Sequence, residues 1–132
     1  MPKLKEVRKD LAQTLTNYGI KTVSLFGTKD IRPPVNIITP TDNYISYKND
    51  ARMNMWNVQL SVVVVSGGLS EANADEVDDL IEATIMAVAD PNAAFWTIDA
   101  VSGPQKIKFE GQSKEYYCGV VILSTETTLD NI

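Results

Sequence analysis

The sequence predicts an α+β domain, a mostly antiparallel sheet with two amphipathic helices packed on one face. Three observations predict it. Apolar residues recur at three- and four-residue spacing in two segments only, near the N-terminus and across residues 70–89. The rest is made of β-branched and aromatic runs cut by Gly, Pro and Asn, the punctuation of strands. With 132 residues, of which 44% are hydrophobic and 22% charged, the chain is sized for one core and too short for two, so residues 1–132 are expected to form a single domain.

In LKEVRKDLAQTLTNYG, residues Leu4, Val7, Leu11, Leu15 and Tyr18 define the apolar stripe of a first helix, which Gly19 closes in the left-handed conformation. KTVSLF reads as a short strand. Pro33 and Pro34 forbid a helix or a central-strand start, and VNII from Val35 reads as a second strand that Pro40 ends. Residues 41–54 are polar, lack a helical period and carry Tyr44 and Tyr47, so they are expected to form a long loop or projecting arm. MWNVQLSVVVV carries the longest strand signal. Trp56, Val58, Leu60, Val62 and Val64 share one face, while the other is polar at Asn57, Gln59 and Ser61 and turns apolar at Val63 and Val65.

Ser66, Gly67 and Gly68 break that strand, and a second helix is expected from about Ser70–Asn73 to Ala89, ahead of Asp90-Pro91. At 100° per residue, Val77, Leu80, Ile81, Thr84 and Val88 fall on one side, with Asp75, Asp78, Asp79 and Glu82 opposite. Farther along, the outward positions become Ala83, Met86 and Ala89, an apolar end that calls for a cover such as a neighbouring subunit. FWTIDAV reads as a strand, and QKIKFEG with KEYYCGVVILST as a hairpin turning at Gly111–Ser113. The uncharged run from Tyr116 to Leu123 places the last strand at the centre of the sheet, and residues 125–132 are expected to be a short polar tail.

No histidine is present, which removes the usual neutral-pH general base and the Ser/His and Cys/His nucleophile pairs. The lone Cys118 has no disulfide partner and, inside YYCGVVIL, reads as a small buried hydrophobe. VVVVSGGLSEAN lacks the Gly-Lys-Ser/Thr of a P-loop and opens an acidic helix, which opposes a bound phosphate. The acids of the second helix lie along a straight face, without the loop spacing of a calcium hand. No catalytic, cofactor-binding or metal-binding residues are therefore nominated, and the chain is not expected to be an enzyme.

The net charge of −5 is split: residues 1–52 carry nine Lys/Arg against five Asp/Glu, and residues 53–132 carry three against twelve. Between Ser66 and Pro104 there is no Lys or Arg, which disfavours sequence-specific nucleic-acid binding. A basic half and an acidic half suit head-to-tail contacts between identical subunits. The absence of a long apolar run or an N-terminal apolar leader suggests a soluble, cytoplasmically made protein with no membrane partner.

The order helix, strand, strand, long strand, helix, strand, hairpin carries a resemblance. The segments LKEVRKDLAQTLTNYGIKTVSLF, RPPVNIITPTDNY, WNVQLSVVVVSGG, DEVDDLIEATIMAV and EYYCGVVILST, over nearly the whole chain, resemble the tail terminator (tail completion) proteins of long-tailed double-stranded DNA phages. That resemblance implies a virion protein at the head-tail junction. Its ring, usually of six subunits, caps the tail tube protein, ends tube polymerisation, lets DNA pass and offers a surface to the head-tail connector protein. On this expectation Lys3, Arg8 and Lys9 of one subunit face Asp75, Asp79, Glu82 and Met86 of the next. Arg32, Tyr44, Tyr47, Lys48 and Arg52 belong to an arm facing the tube or lumen. The alternatives are another neck, head-completion or tail tube ring protein and, from a different class, a small ligand-binding α+β domain.

Overall fold

The computed structural model describes residues 3–24, 34–47, 55–67, 69–89, 96–108 and 114–128. Along the chain run α1 (Lys3–Asn17), β1 (Thr22–Ser24), β2 (Val35–Tyr47), β3 (Met55–Val65), α2 (Glu71–Ala89), β4 (Thr97–Lys108) and β5 (Glu115–Thr128). The five strands form one sheet in the order β1-β2-β3-β5-β4, with β1 parallel to β2 and every other pairing antiparallel. Both helices lie on one face: α1 packs over β1, α2 over β5 and β4, and the two helices touch. The chain is thus an α+β fold, and β5, with its uncharged run from Tyr116 to Leu123, lies inside the sheet between β3 and β4.

Helix α1 ends where Gly19 takes φ 90°, a conformation open to glycine without a Cβ penalty. Ile20 N donates to Leu15 O and Gly19 N to Thr16 O, the paired bonds of a Schellman cap, and Leu15 and Ile20 are both buried beside it. This cap corrects the expected apolar stripe. Tyr18 sits in the turn after the helix and is 47% exposed, because the reversal at Gly19 swings Ile20 into the core in its place. At the start of α2, Ser70 is the cap: Asn73 N donates to Ser70 Oγ at 3.2 Å, and Asn73 and Ala74 N–H groups reach Ser70 O.

Three boundaries differ from expectation. Strand β2 does not stop at Pro40 but continues to Tyr47, with a register shift between Pro40 and Ile45. Among the described residues β1 pairs with β2 only as far as Ile38, so at Pro40 no described strand lies on that side, where a missing N–H is tolerated. Residues 41–47 of the expected loop are therefore strand, and residues 48–54 lie outside the described residues. FWTIDAV and QKIK are not two strands but parts of one, because β4 is an edge strand that absorbs Gly103-Pro104 in a register shift between Ser102 and Gln105. Finally, β5 extends through TETT, whose β-branched threonines pair with the first residues of β3, so the polar tail does not begin at 125.

The core lies between helices and sheet. Leu11 and Leu15 from α1 and Val77, Ile81 and Val88 from α2 meet Ile38, Val58, Leu60, Val62, Val64, Val121 and Leu123. The alternation expected of β3 holds: Val58, Leu60, Val62 and Val64 are fully buried under the helices. A Cβ on Gly119 would sit 2.5 Å from Ile81 Cδ1 and 3.0 Å from Val77 Cγ1, so the glycine is what lets α2 settle onto β5. Beside it, Asn36 Nδ2 donates to Thr84 Oγ1 at 2.8 Å in a buried bond between β2 and α2, and Thr84 donates in turn to Leu80 O.

Two stability outcomes follow from these contacts. Gly119→Ala should lower the unfolding free energy by about 1–3 kcal/mol through overpacking, and adding Ile81→Val, which removes the Cδ1 methyl, should make the two losses less than additive in urea titrations. Thr84→Val should cost about 1–3 kcal/mol by stranding the Asn36 amide, and Asn36→Val in that background should restore part of the loss.

Candidate functional site

The chemistry-bearing residues of this chain are distributed over surfaces. On α1, Lys5 and Lys9 are exposed one turn apart and share a flank with Arg8, while Glu6 and Asp10 occupy the adjoining flank. Arg8 does not project freely: it is half-buried, and its Nε is enclosed without a hydrogen-bond partner among the described residues. Lys3 begins the helix, and its side chain lies outside what is described.

On α2 the wheel arithmetic holds. Val77, Ile81, Thr84 and Val88 are buried, and Glu71, Asp75, Asp78, Asp79 and Glu82 are exposed on the opposite side. The same outer stripe ends in Met86, 53% exposed, and in exposed Ala89, whereas Ala83 is half-buried against the core. Next to α2, at the edge of the sheet, every residue of β4 is exposed except half-buried Ile107. Ile98 and Val101 are large apolar side chains on this edge. A three-residue spacing would put them on opposite faces of a regular strand. The register shift at Asp99 instead sets Ile98 opposite Leu123 and Val101 opposite Val121, so both point to the helix side. Sequence reading missed this pair, since nothing in TIDAV announces the extra residue; Lys5, exposed here, reads from the sequence as a surface cation of the first turns and is not nominated for contact.

The opposite face of the sheet is graded. At the end where β3 meets α2, Val35, Ile37, Val65, Tyr116 and Cys118 form a second apolar cluster, flanked by Val63 and Ile107. Toward the other end a hydrogen-bonded row crosses four strands: Thr41 Oγ1 donates to Gln59 Oε1, Gln59 Nε2 donates to Asp99 Oδ2 at 3.0 Å, and Ser124 Oγ donates to Asp99 Oδ1 at 3.1 Å. The Thr39 and Ser61 hydroxyls meet at 2.7 Å alongside it. Asp99, at the bulge, thereby ties the edge strand to β5 and β3.

Of the expected arm, Tyr44 is half-buried against the main core and does not project. Tyr47 ends β2 with its side chain outside what is described, and Arg32, Lys48 and Arg52 lie outside the described residues. The glycine turn before α2 is occupied by the chain itself: Ser66 Oγ donates to Glu76 Oε1 at 2.8 Å, and Ser70 caps the helix. No group of three His, Cys, Asp or Glu among the described residues is placed to hold a metal ion, and no described helix is long and apolar enough to cross a membrane. Neither a family model nor a curated protein matches this chain.

Cys118 is fully buried, and burial pushes its thiol from 9.0 up to about 12. The folded state holds this proton more tightly than the unfolded chain, so the resulting stability is intact below about pH 9 and is lost as the pH rises toward 12. A thiol reagent at about pH 8, below the ordinary cysteine range, should therefore label Cys118 only as the protein unfolds in urea. The fall in unfolding midpoint on going to about pH 10 should shrink in Cys118→Ala. Labelling of the native protein as fast as of the denatured chain would contradict the buried position.

Proposed function

We propose that this chain is a structural subunit that assembles head-to-tail with copies of itself into a ring, in the manner of phage tail terminator proteins. The supporting observation is that the two helices of one layer expose unlike charge. Helix α1, which packs over β1, exposes Lys5 and Lys9, and α2, which packs over β5 and β4, exposes an acidic stripe on the side away from the core. A contact between unlike surfaces is heterologous: each subunit that docks leaves the same two surfaces free, so the contact repeats until rotation closes a ring or a filament grows.

The sequence segments that resemble that family add the phage-specific part of the reading, a ring of six that caps a tail tube and meets the head-side connector, although the separate strand and hairpin expected after α2 are the single β4–β5 pair. The arm nominated for tube contact stays part of the proposal only through Tyr47, Arg32, Lys48 and Arg52, because Tyr44 is committed to the core.

Native mass spectrometry and electron microscopy of the purified protein test this function. Closed single-layer rings that arrest the growth of tail tube subunits are the expected result. Open tubes formed by the protein alone would reassign it as a tube subunit, and a monomer at micromolar concentration would overturn self-assembly.

A further inference from the structure

Of the five large hydrophobic side chains left exposed among the described residues, three lie on two elements in contact with each other: Met86 near the C-terminal end of α2, and Ile98 and Val101 on the helix side of β4. The exposed carboxylates Asp75, Asp79 and Glu82 continue the Met86 stripe up the helix. Apolar residues bordered by charge are the anatomy of a protein contact surface. No Lys or Arg occurs anywhere from residue 53 to residue 105, so the stripe has no base on its own helix to neutralise it.

We infer that Met86, Ile98 and Val101 form the apolar centre of a surface that receives the α1 flank of a second copy of this chain, with Lys5 and Lys9 set against Asp79 and Glu82. The inference rests on the self-assembling reading above and names the surface that carries it. Charge and pitch select the occupant. Lys5 and Lys9 stand four residues apart and Asp79 and Glu82 three, each pair about one helical turn, so two helices laid side by side can set both cations against both carboxylates. The other exposed cations near this end, Lys106 and Lys108, are carried by β4 itself and so belong to the receiving surface. Pairing of the β4 edge, which has no neighbour among the described residues, with another strand is the competing geometry. Pro104, which has no N–H, and the two register shifts of β4 break the straight ladder that such pairing needs.

Charge exchange tests the contact. Lys5→Glu with Lys9→Glu, and separately Asp79→Lys with Glu82→Lys, should each weaken self-association about tenfold or more in sedimentation velocity. All four substitutions in one chain should restore it. Met86→Lys with Val101→Lys should abolish association while the circular dichroism spectrum is retained, as expected for exposed positions. Rings that persist unchanged in all of these variants would overturn the surface and leave the ring reading standing. Rescue by charge exchange in an assembly that stops at two subunits would uphold the surface and remove the ring. A wild-type monomer at every concentration would overturn both.

Discussion

The seating of α2 on β5 is the constraint on which the rest of the structure depends. Gly119 removes a Cβ where Val77 and Ile81 press hardest, and the Asn36–Thr84 bond fixes the same helix against β2. A helix held at two points along its inner side has no freedom to rotate. Its outer stripe is thereby fixed as well, so the direction in which Asp75, Asp79, Glu82 and Met86 point is a consequence of packing beneath them. Burial of each valine in that layer, Val62, Val64, Val77 and Val121 among them, contributes about 1.5–3 kcal/mol, far more than any single surface charge pair offers.

The same seating explains why the β4 end of the sheet stays bare. Two helices of 15 and 19 residues lie side by side over five strands, one toward β1 and the other toward β5 and β4. The last strand therefore extends past the cover, and apolar side chains on its helix side remain exposed at Ile98 and Val101. On the far face, the Thr41–Gln59–Asp99–Ser124 row holds β4 to the sheet through side chains, which gives an otherwise exposed edge a fixed position.

Much of this was legible in the residues. Period-2 alternation in β3 and the 100° wheel of α2 identify the buried face of each element because burial there is decided by local repeat. The lack of charge from Tyr116 to Leu123 identifies β5 as internal for the same reason. What escaped reading depends on neighbours. Pro40 looks like a strand end until the described pairing with β1 is seen to stop at Ile38, and Gly103-Pro104 looks like a break until β4 is seen to be an edge among the described residues. Tyr18 fits the helical stripe by number alone, and only the reversal at Gly19 removes it. The Ile98/Val101 pair is hidden by an extra residue whose presence is a property of the strand pairing and of nothing local.

The irregularity of β4 bears directly on how such a molecule can associate without aggregating. A twelve-residue strand left unpaired on one side among the described residues is a template for unlimited sheet extension, and the usual protections are proline, bulges and lysine. All three are present, as Pro104, the shifts at Asp99 and at Gly103-Pro104, and Lys106 with Lys108. With backbone pairing disfavoured, the proposed association at this end runs through side chains on the helix side, where the bulge has brought Ile98 and Val101 onto one face. On the proposed reading the Asp99 bulge serves two ends: it spoils the ladder that would recruit any strand, and it sets Ile98 and Val101 on the face that would receive a second copy. Selectivity of this kind, rejection of the wrong partner combined with attraction of the right one, is what an assembly of fixed size requires of its subunits.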